Sequence, residues 1–388
     1  MSLQKILLLG STGSIGTSTL QCVRRFRDKF TIVGLAAGKC VDLLIDQITE
    51  FSPASVYISE NNSVKKIRDR FGDSVKIYSG AGGLESLVYD AQYDVLLNAL
   101  VGAVGLRPTV TALKRNKKVA LANKESLVVG GDYITSLLKS GNGSLIPIDS
   151  EHSAILQCLS SAKESTVESL ILTASGGPFR KLPKEKFASI TPSDALNHPT
   201  WAMGKKITID SATMMNKGFE IIEAHHLFNI PYSQLHVCVH PQSIIHSLVE
   251  FYDGAVLAQL GLPDMELPIQ YALSYPDRLP MAGKRLSLPK IGQLEFSEPD
   301  FERFPCLKLC IEAGIAGGTA PVVVNAANEV AVEAFLEGKI KFNDIAGIVA
   351  FALQNHTVVP ADSLEIIEET DNQIRTSVLK NYLAKGKT

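Results

Sequence analysis

Midway along the chain, Asp149-Ser150-Glu151-His152-Ser153 follows an apolar run, Leu145-Ile146-Pro147-Ile148, that reads as the end of a strand. Residues i and i+2 of an extended segment face the same way, so Asp149 and Glu151 can present two carboxylates side by side. Such a pair repels unless a cation or a shared proton holds it. Two readings are open: a solvated strand end in which Asp149 or Ser150 caps the next helix, or part of a metal site. Further on, Asp210-Ser211-Ala212-Thr213-Met214-Met215-Asn216-Lys217-Gly218-Phe219-Glu220 is expected to leave a strand at Lys206–Ile209 and enter a helix. On that helix Asn216 and Lys217 both neighbour Glu220. Lys217 and Glu220 are then either a surface pair of little weight, or Ser211, Asn216 and Lys217 form an anion site with Glu220 as a third oxygen ligand. Three carboxylates, with no cysteine partner and no histidine pair, select Mg²⁺ or Mn²⁺ over zinc. His225 and His226 are discounted because adjacent residues on a helix diverge.

Other stretches suit phosphates. Gly10-Ser11-Thr12-Gly13-Ser14-Ile15-Gly16 lies between the apolar run Lys5–Leu9 and a helical stretch, Thr17–Phe26. Strand, glycine turn and helix in that order bring backbone N–H groups to a pyrophosphate. The next strand, Thr31–Ala36, ends Ala37-Gly38-Lys39-Cys40, with a lysine where NAD-binding domains place an acid. Lys39 favours the 2′-phosphate of NADP, or it is a solvated loop lysine. Asn123 can cap a helix that opens Lys124-Glu125, and a lysine at that positive helix end makes more sense facing an anion or a carbonyl oxygen. Ser175-Gly176-Gly177 after the strand Ser169–Thr173 is a phosphate cradle or an ordinary turn. The loop His198-Pro199-Thr200-Trp201-Ala202-Met203-Gly204 either closes over a ligand or is pinned to the core by its indole.

The elements that must position these residues alternate. Strands at Ala54–Ile58, Val75–Tyr78, Asp94–Leu100, Lys118–Ala122 and Ile146–Ile148, with helical stretches between, imply an N-terminal Rossmann-like, doubly wound parallel α/β sheet. Asp149 then lies at the carboxyl end of its last strand, the edge where such sheets bind ligands. Beyond it, a hairpin turning at Asp253-Gly254 marks a central α+β catalytic domain with a plausible dimer surface. Residues 276–303 are proline-rich and read as a linker. Helical patterns at Cys306–Ala316, Val322–Leu336, Phe342–Gln354 and Leu364–Leu383 form a C-terminal helical bundle, in which Asn325, Asn328 and Glu329 read as structural. The expected domains are 1–149 for cofactor binding, 150–275 for catalysis, metal and dimerisation, and 304–388 for the four-helix bundle.

With 38 basic and 40 acidic side chains among 388 residues, the charge balance argues against a bulk grip on nucleic acid or an anionic membrane. No apolar run reaches the roughly 18 residues that would span a bilayer. The N-terminus enters a strand at once, without room for a signal peptide, and the six scattered cysteines form no CxxC, so a reduced, cytoplasmic protein is expected.

Taken together, GSTGSIG (10–16), LANKESL (121–127), PIDSEH (147–152), ASGGPFR (174–180), HPTWAMG (198–204), DSATMMNKG (210–218) with Glu220, and HPQSIIHS (240–247) resemble the 1-deoxy-D-xylulose 5-phosphate reductoisomerase family over essentially the whole length. The resemblance implies an NADPH- and metal-dependent enzyme of the non-mevalonate isoprenoid pathway, a homodimer acting on a small sugar phosphate. Thr12, Gly13, Ser14 and Ile15 would hold the NADPH pyrophosphate, Gly38, Lys39 and Cys40 would lie at its adenosine end, and Asn123, Glu125 and Gly204 would also touch the cofactor. Asp149, Glu151 and Glu220 would bind Mg²⁺ or Mn²⁺, with Lys124 and Ser150 at the substrate's oxygen-bearing end. Ser175, His198, Ser211, Asn216 and Lys217 would grip the phosphate and hydroxyls, under a lid bearing Trp201 and Met203. The metal would act as a Lewis acid on the ketone and its neighbouring hydroxyl, a carbon–carbon bond would break and re-form, and the branched aldehyde would take a hydride. Cys40 departs from the asparagine usual in the family, and a thiol is a poor donor to a 2′-phosphate.

Two rivals are an NADP-dependent semialdehyde dehydrogenase, which needs a nucleophilic cysteine in a polar turn, and a catalytically silent NADP-binding regulator. The first is disfavoured by the apolar surroundings of Cys158 and Cys238. The second would have no reason to carry three metal-spaced carboxylates.

Overall fold

The computed structural model describes residues 3–160, 166–201, 203–281 and 283–383. The chain forms two compact units. The first gathers Met1–Ser126, Ile134–Ser153 and Met265–Met281, and the second gathers Leu127–Tyr133, Ala154–Asp264 and Ala282–Thr388.

Seven strands build the sheet of the first unit: β1 (Gln4–Leu9), β2 (Phe30–Ala37), β3 (Ser55–Ile58), β4 (Lys76–Ser79), β5 (Val95–Asn98), β6 (Lys118–Leu121) and β7 (Ser144–Pro147). All pairings are parallel, in the order β4-β3-β2-β1-β5-β6-β7. Ile6, Leu7, Leu8 and Leu9 of β1 are wholly buried, as a strand covered by helices on both faces requires. The order reverses beside β1, so the turns after β1 and β5 flank the crevice where a doubly wound sheet takes its ligand. Glu266–Ser274 returns late in the chain to pack against the helix Ser14–Arg25 and against β7. Arg25 ion-pairs with Glu266 there.

The second unit holds a four-stranded sheet of β8 (Val167–Ala174), β9 (Leu235–Val239), β10 (Ile245–Phe251) and β11 (Val256–Leu260), ordered β11-β10-β8-β9. The β10–β11 hairpin turns at the expected Asp253-Gly254, where Gly254 takes φ +82°. The carboxyl-terminal helices Pro305–Ala316, Ala320–Leu336, Asp344–Gln354 and Leu364–Val378 close a large apolar core with Ile209, Ala212, Met215 and Phe219.

The strand expected at Lys206–Ile209 is instead a helix, Lys205–Ala212. The alternation of Ile207 and Ile209 looks β-like in isolation. Tertiary packing decides otherwise: Thr208, Ile209 and Ala212 are buried on one helical face, and the Thr208 hydroxyl donates to the Gly204 carbonyl one turn back at 2.8 Å. Among the described residues no helix is long and apolar enough to cross a membrane.

Candidate active site

In the first unit the turn after β1 is packed tightly around two of its glycines. Gly10 has φ +78°, and a Cβ there would lie 2.4 Å from the Ala99 carbonyl oxygen. A Cβ on Gly16 would lie 2.2 Å from the Gly10 carbonyl oxygen. Helix Ser14–Arg25 therefore starts tight against the turn, with Gly13 at its N-cap and Gly13 and Ser14 exposed. Gly38, Lys39 and Cys40 are exposed at the end of β2, and Cys40 occupies the N-cap of Val41–Phe51 without a side-chain capping bond.

Asn123 caps Lys124–Ser140 as expected, its Oδ1 accepting from Ser126 N at 3.0 Å. Its Nδ2 donates to the carbonyls of Leu100 (3.0 Å) and Gly102 (2.9 Å) and to Glu125 Oε2 (3.1 Å), tying the loops after β5 and β6 together. Lys124 is buried, and its ammonium lies 2.7 Å from Asp149 Oδ2 at the end of β7. The other carboxylate oxygen, Oδ1, accepts the backbone N–H of Glu151 at 3.2 Å. Asp149 thus caps the helix that follows, as the first sequence reading expects, while its other oxygen faces the Lys124 ammonium. Burial would raise the Asp149 pKa, but Lys124 and His152 outweigh it and hold the carboxyl well below the usual range. Ser150 hydrogen-bonds the Glu151 carboxylate.

In the second unit Ser175, His198 and Ser211 converge. The His198 Nε2 lies 3.1 Å from Ser175 Oγ and 3.1 Å from Ser211 Oγ. Its Nδ1 accepts from the backbone N–H groups of Thr200 (3.1 Å) and Trp201 (3.0 Å), so a neutral ring carries its proton on Nε2. Burial, with Arg180 nearby, lowers the His198 pKa and keeps that ring neutral. The two serine oxygens can accept from Nε2–H, which leaves their own hydrogens to point at an incoming anion. Gly177, at φ +66°, lets this loop approach Lys205–Ala212: a Cβ there would sit 2.8 Å from the Ser211 carbonyl oxygen.

Met214 takes a left-handed φ of +62°, turning the chain from Lys205–Ala212 into Met215–Phe228. That bend sets Asn216 and Lys217 in the first helical turn, where backbone N–H groups face outward. Asn216 Nδ2 donates to Glu220 Oε1 at 2.5 Å, and Lys217 ion-pairs with Glu220 Oε2. Lys217 and Glu220 are both buried, so this is no surface pair. Trp201 is half-buried with its ring 6.3 Å from that of His246, Met203 is half-buried, and Gly204 is exposed at the start of Lys205–Ala212. The rings of His225 and His226 do not diverge as expected, but meet edge to face at 4.9 Å. His225 is committed elsewhere, bonded to the Ile230 carbonyl at 2.8 Å and stacked on Tyr232.

Family models for 1-deoxy-D-xylulose 5-phosphate reductoisomerase match residues 6–131, and those for its C-terminal domains match residues 145–228 and 260–377. The reductoisomerase of Chlorobium chlorochromatii is 52% identical over 382 residues, covering 98% of this chain and 100% of that protein. The chain belongs to the 1-deoxy-D-xylulose 5-phosphate reductoisomerase family. A family member from Geobacillus is 50% identical, covering 96% of this chain and 98% of its own. Among solved structures, a reductoisomerase in complex with NADPH, fosmidomycin and magnesium is 41% identical, with a TM-score of 0.94, covering 99% of this chain and 98% of that one. The Zymomonas mobilis reductoisomerase in complex with NADPH is 40% identical, with a TM-score of 0.92 and full coverage of both chains.

Sequence reasoning missed two features. The strained Met214 has no composition signal, because methionine is not a residue that favours positive φ. The hydrogen bond from Asn328 Nδ2 to Asp210 Oδ1, 2.7 Å long, joins residues too distant in sequence for any spacing rule.

Proposed function

We propose that this chain converts 1-deoxy-D-xylulose 5-phosphate to 2-C-methyl-D-erythritol 4-phosphate, rearranging the carbon skeleton and reducing it with NADPH in the presence of a divalent metal. The observation that carries the reading is a set of little-exposed carboxylates, each beside an ammonium group: half-buried Asp149 with Lys124 in one unit, buried Glu220 with Lys217 in the other. Carboxylates held in low-exposure sites keep their charge only beside cations, and an all-oxygen donor set suits Mg²⁺ or Mn²⁺. Asp149, Glu151 and Glu220 are the proposed ligands. Bound there, the metal supplies Lewis-acid polarisation of the substrate's oxygens, and NADPH supplies the hydride.

The protein's own residues do the rest. Ser175, Ser211, Asn216 and Lys217 receive the substrate phosphate, with neutral His198 orienting both serine hydroxyls. Lys124 and Ser150 face the carbonyl end, where the ammonium stabilises oxyanion charge as it develops. Thr12, Gly13, Ser14 and Ile15 take the cofactor's pyrophosphate on backbone N–H groups. Gly38, Lys39 and Cys40 meet its adenosine end, and Asn123, Glu125 and Gly204 complete its contacts. Trp201 and Met203 close over the substrate and exclude water. A homodimer through the β11 edge is part of the proposal: Tyr252, Val256 and Leu257 are exposed there, and an uncovered edge strand recruits a partner. Six free cysteines fit a reducing, cytoplasmic location.

The semialdehyde dehydrogenase reading fails on its nucleophile, since burial pushes the Cys158 thiol up to about 11 and raises that of Cys238. The deciding experiment follows NADPH oxidation with 1-deoxy-D-xylulose 5-phosphate, with and without Mg²⁺. Consumption is expected only with the metal, and no consumption in its presence would sink the proposal.

A further inference from the structure

The carboxyl-terminal helices carry no chemistry legible in the sequence, yet one of their buried polar residues reaches toward the proposed phosphate grip. Ala320–Leu336 packs against Lys205–Ala212 through an apolar interface that includes Ile209, Ala212, Val324 and Ala327. Within it Asn328, wholly buried, donates Nδ2 to Asp210 Oδ1 at 2.7 Å. The amide can face a carboxylate only through its NH₂ group, so its orientation is fixed by chemistry. Asp210 is 1% exposed, and its second oxygen lies 3.0 Å from the Lys206 ammonium, one turn earlier on the same helix. That ammonium lies 5.1 Å from the centre of the Phe219 ring.

Apolar packing alone would hold these helices together but would tolerate rotation and sliding. A polar pair in an apolar seam fixes register instead, because a slip separates a buried amide from the carboxylate oxygen it serves, although Lys206 stays with the other oxygen. Asp210 immediately precedes Ser211, and successive residues on a helix point about 100° apart. One face of Lys205–Ala212 is therefore pinned to the carboxyl-terminal helices, while the next residue presents its hydroxyl 3.1 Å from His198. Because His198 also holds Ser175, the rotation of this helix sets the spacing of both serine hydroxyls.

We infer that Asn328 is a positioning residue: through Asp210 it fixes the rotation of Lys205–Ala212 and hence the place of Ser211. The inference rests on Ser211 being a phosphate contact. The test is a double-mutant cycle on the full enzyme with Asn328→Leu, Ser211→Ala and both together. The readouts are KM for the sugar phosphate, kcat, NADPH affinity by fluorescence titration and the thermal midpoint. Asn328→Ala, which removes the donor without a branched side chain, is measured beside the leucine variant. Each Asn328 variant is expected to raise KM about tenfold with NADPH affinity unchanged, and the double variant to be no worse than Ser211→Ala alone. A wild-type KM in either folded Asn328 variant, or losses that multiply in the double variant, overturns the inference while leaving the phosphate reading intact. An unchanged KM for Ser211→Ala removes the phosphate reading itself, and this inference falls with it.

Discussion

On the proposed reading, the first unit offers a phosphate the backbone of Gly10–Gly16, a turn without a basic side chain, whereas the second offers the hydroxyls, ring, amide and ammonium of Ser175, Ser211, His198, Asn216 and Lys217. A pyrophosphate in the middle of a dinucleotide is also held at its flanking ends, so backbone dipoles suffice. A terminal phosphate is a dianion held from one side, and it repays charged and hydroxyl donors. Gly10 and Gly16 of the backbone turn tolerate no added Cβ, while the side-chain grip can lose one donor and keep the rest.

That contrast can be broken, and the largest effect is expected in the first unit. Gly16→Ala puts a methyl 2.2 Å from the Gly10 carbonyl oxygen, so the turn must open. NADPH affinity should fall about 100-fold or more, read by fluorescence titration. Retained affinity would mean the turn is not the cofactor cradle. Next, Glu220→Gln should lower metal-dependent turnover about 100-fold with NADPH binding nearly intact. Equal loss of both would contradict the division of labour between the units. Ser175→Ala, which deletes one donor of several, should raise KM for the sugar phosphate only about fivefold, measured by steady-state kinetics.

Two smaller effects sharpen the comparison. Burial, with His225 beside it, pushes the His226 pKa from 6.5 down to about 3. The unfolded chain therefore takes up a proton before the folded one, and this contribution to stability is full above pH 6.5 and lost as pH falls toward about 3. His226→Gln should flatten that limb of thermal midpoint against pH. Cys40→Asn should add a helix N-cap worth about 1 kcal/mol and raise the NADPH-over-NADH preference. A preference that does not move would mean this position makes no cofactor contact.

Much of this was legible because it is local. The apolar β1, the glycine turn and the opening helix are contiguous, and Asn216, Lys217 and Glu220 meet because one helix brings spaced residues onto one face. The carboxylate of Asp149 was legible as a group but not in its double employment, which depends on Lys124 arriving from another strand's end. The segment after Gly204 was misread because isoleucine alternation suggests β, while the buried face that makes it helical is supplied by the carboxyl-terminal helices. Asn328 escaped for the same reason, since its meaning comes from Asp210, a partner far away in the chain.

The late return of Glu266–Ser274 to the first unit has a consequence for how the protein is made. Ile269, Ala272 and Leu273 of that segment are buried, in a helix that packs on Ser14–Arg25 and β7. All seven strands leave the ribosome before that helix does, with more than a hundred residues of the second unit still to be synthesised between them. At a synthesis rate of roughly 10 residues per second that is a wait of about ten seconds. Throughout it the nascent sheet carries an apolar flank that only its own downstream sequence can cover, which makes this interval the one in which a chaperone, or a neighbouring nascent chain, finds the protein most adhesive.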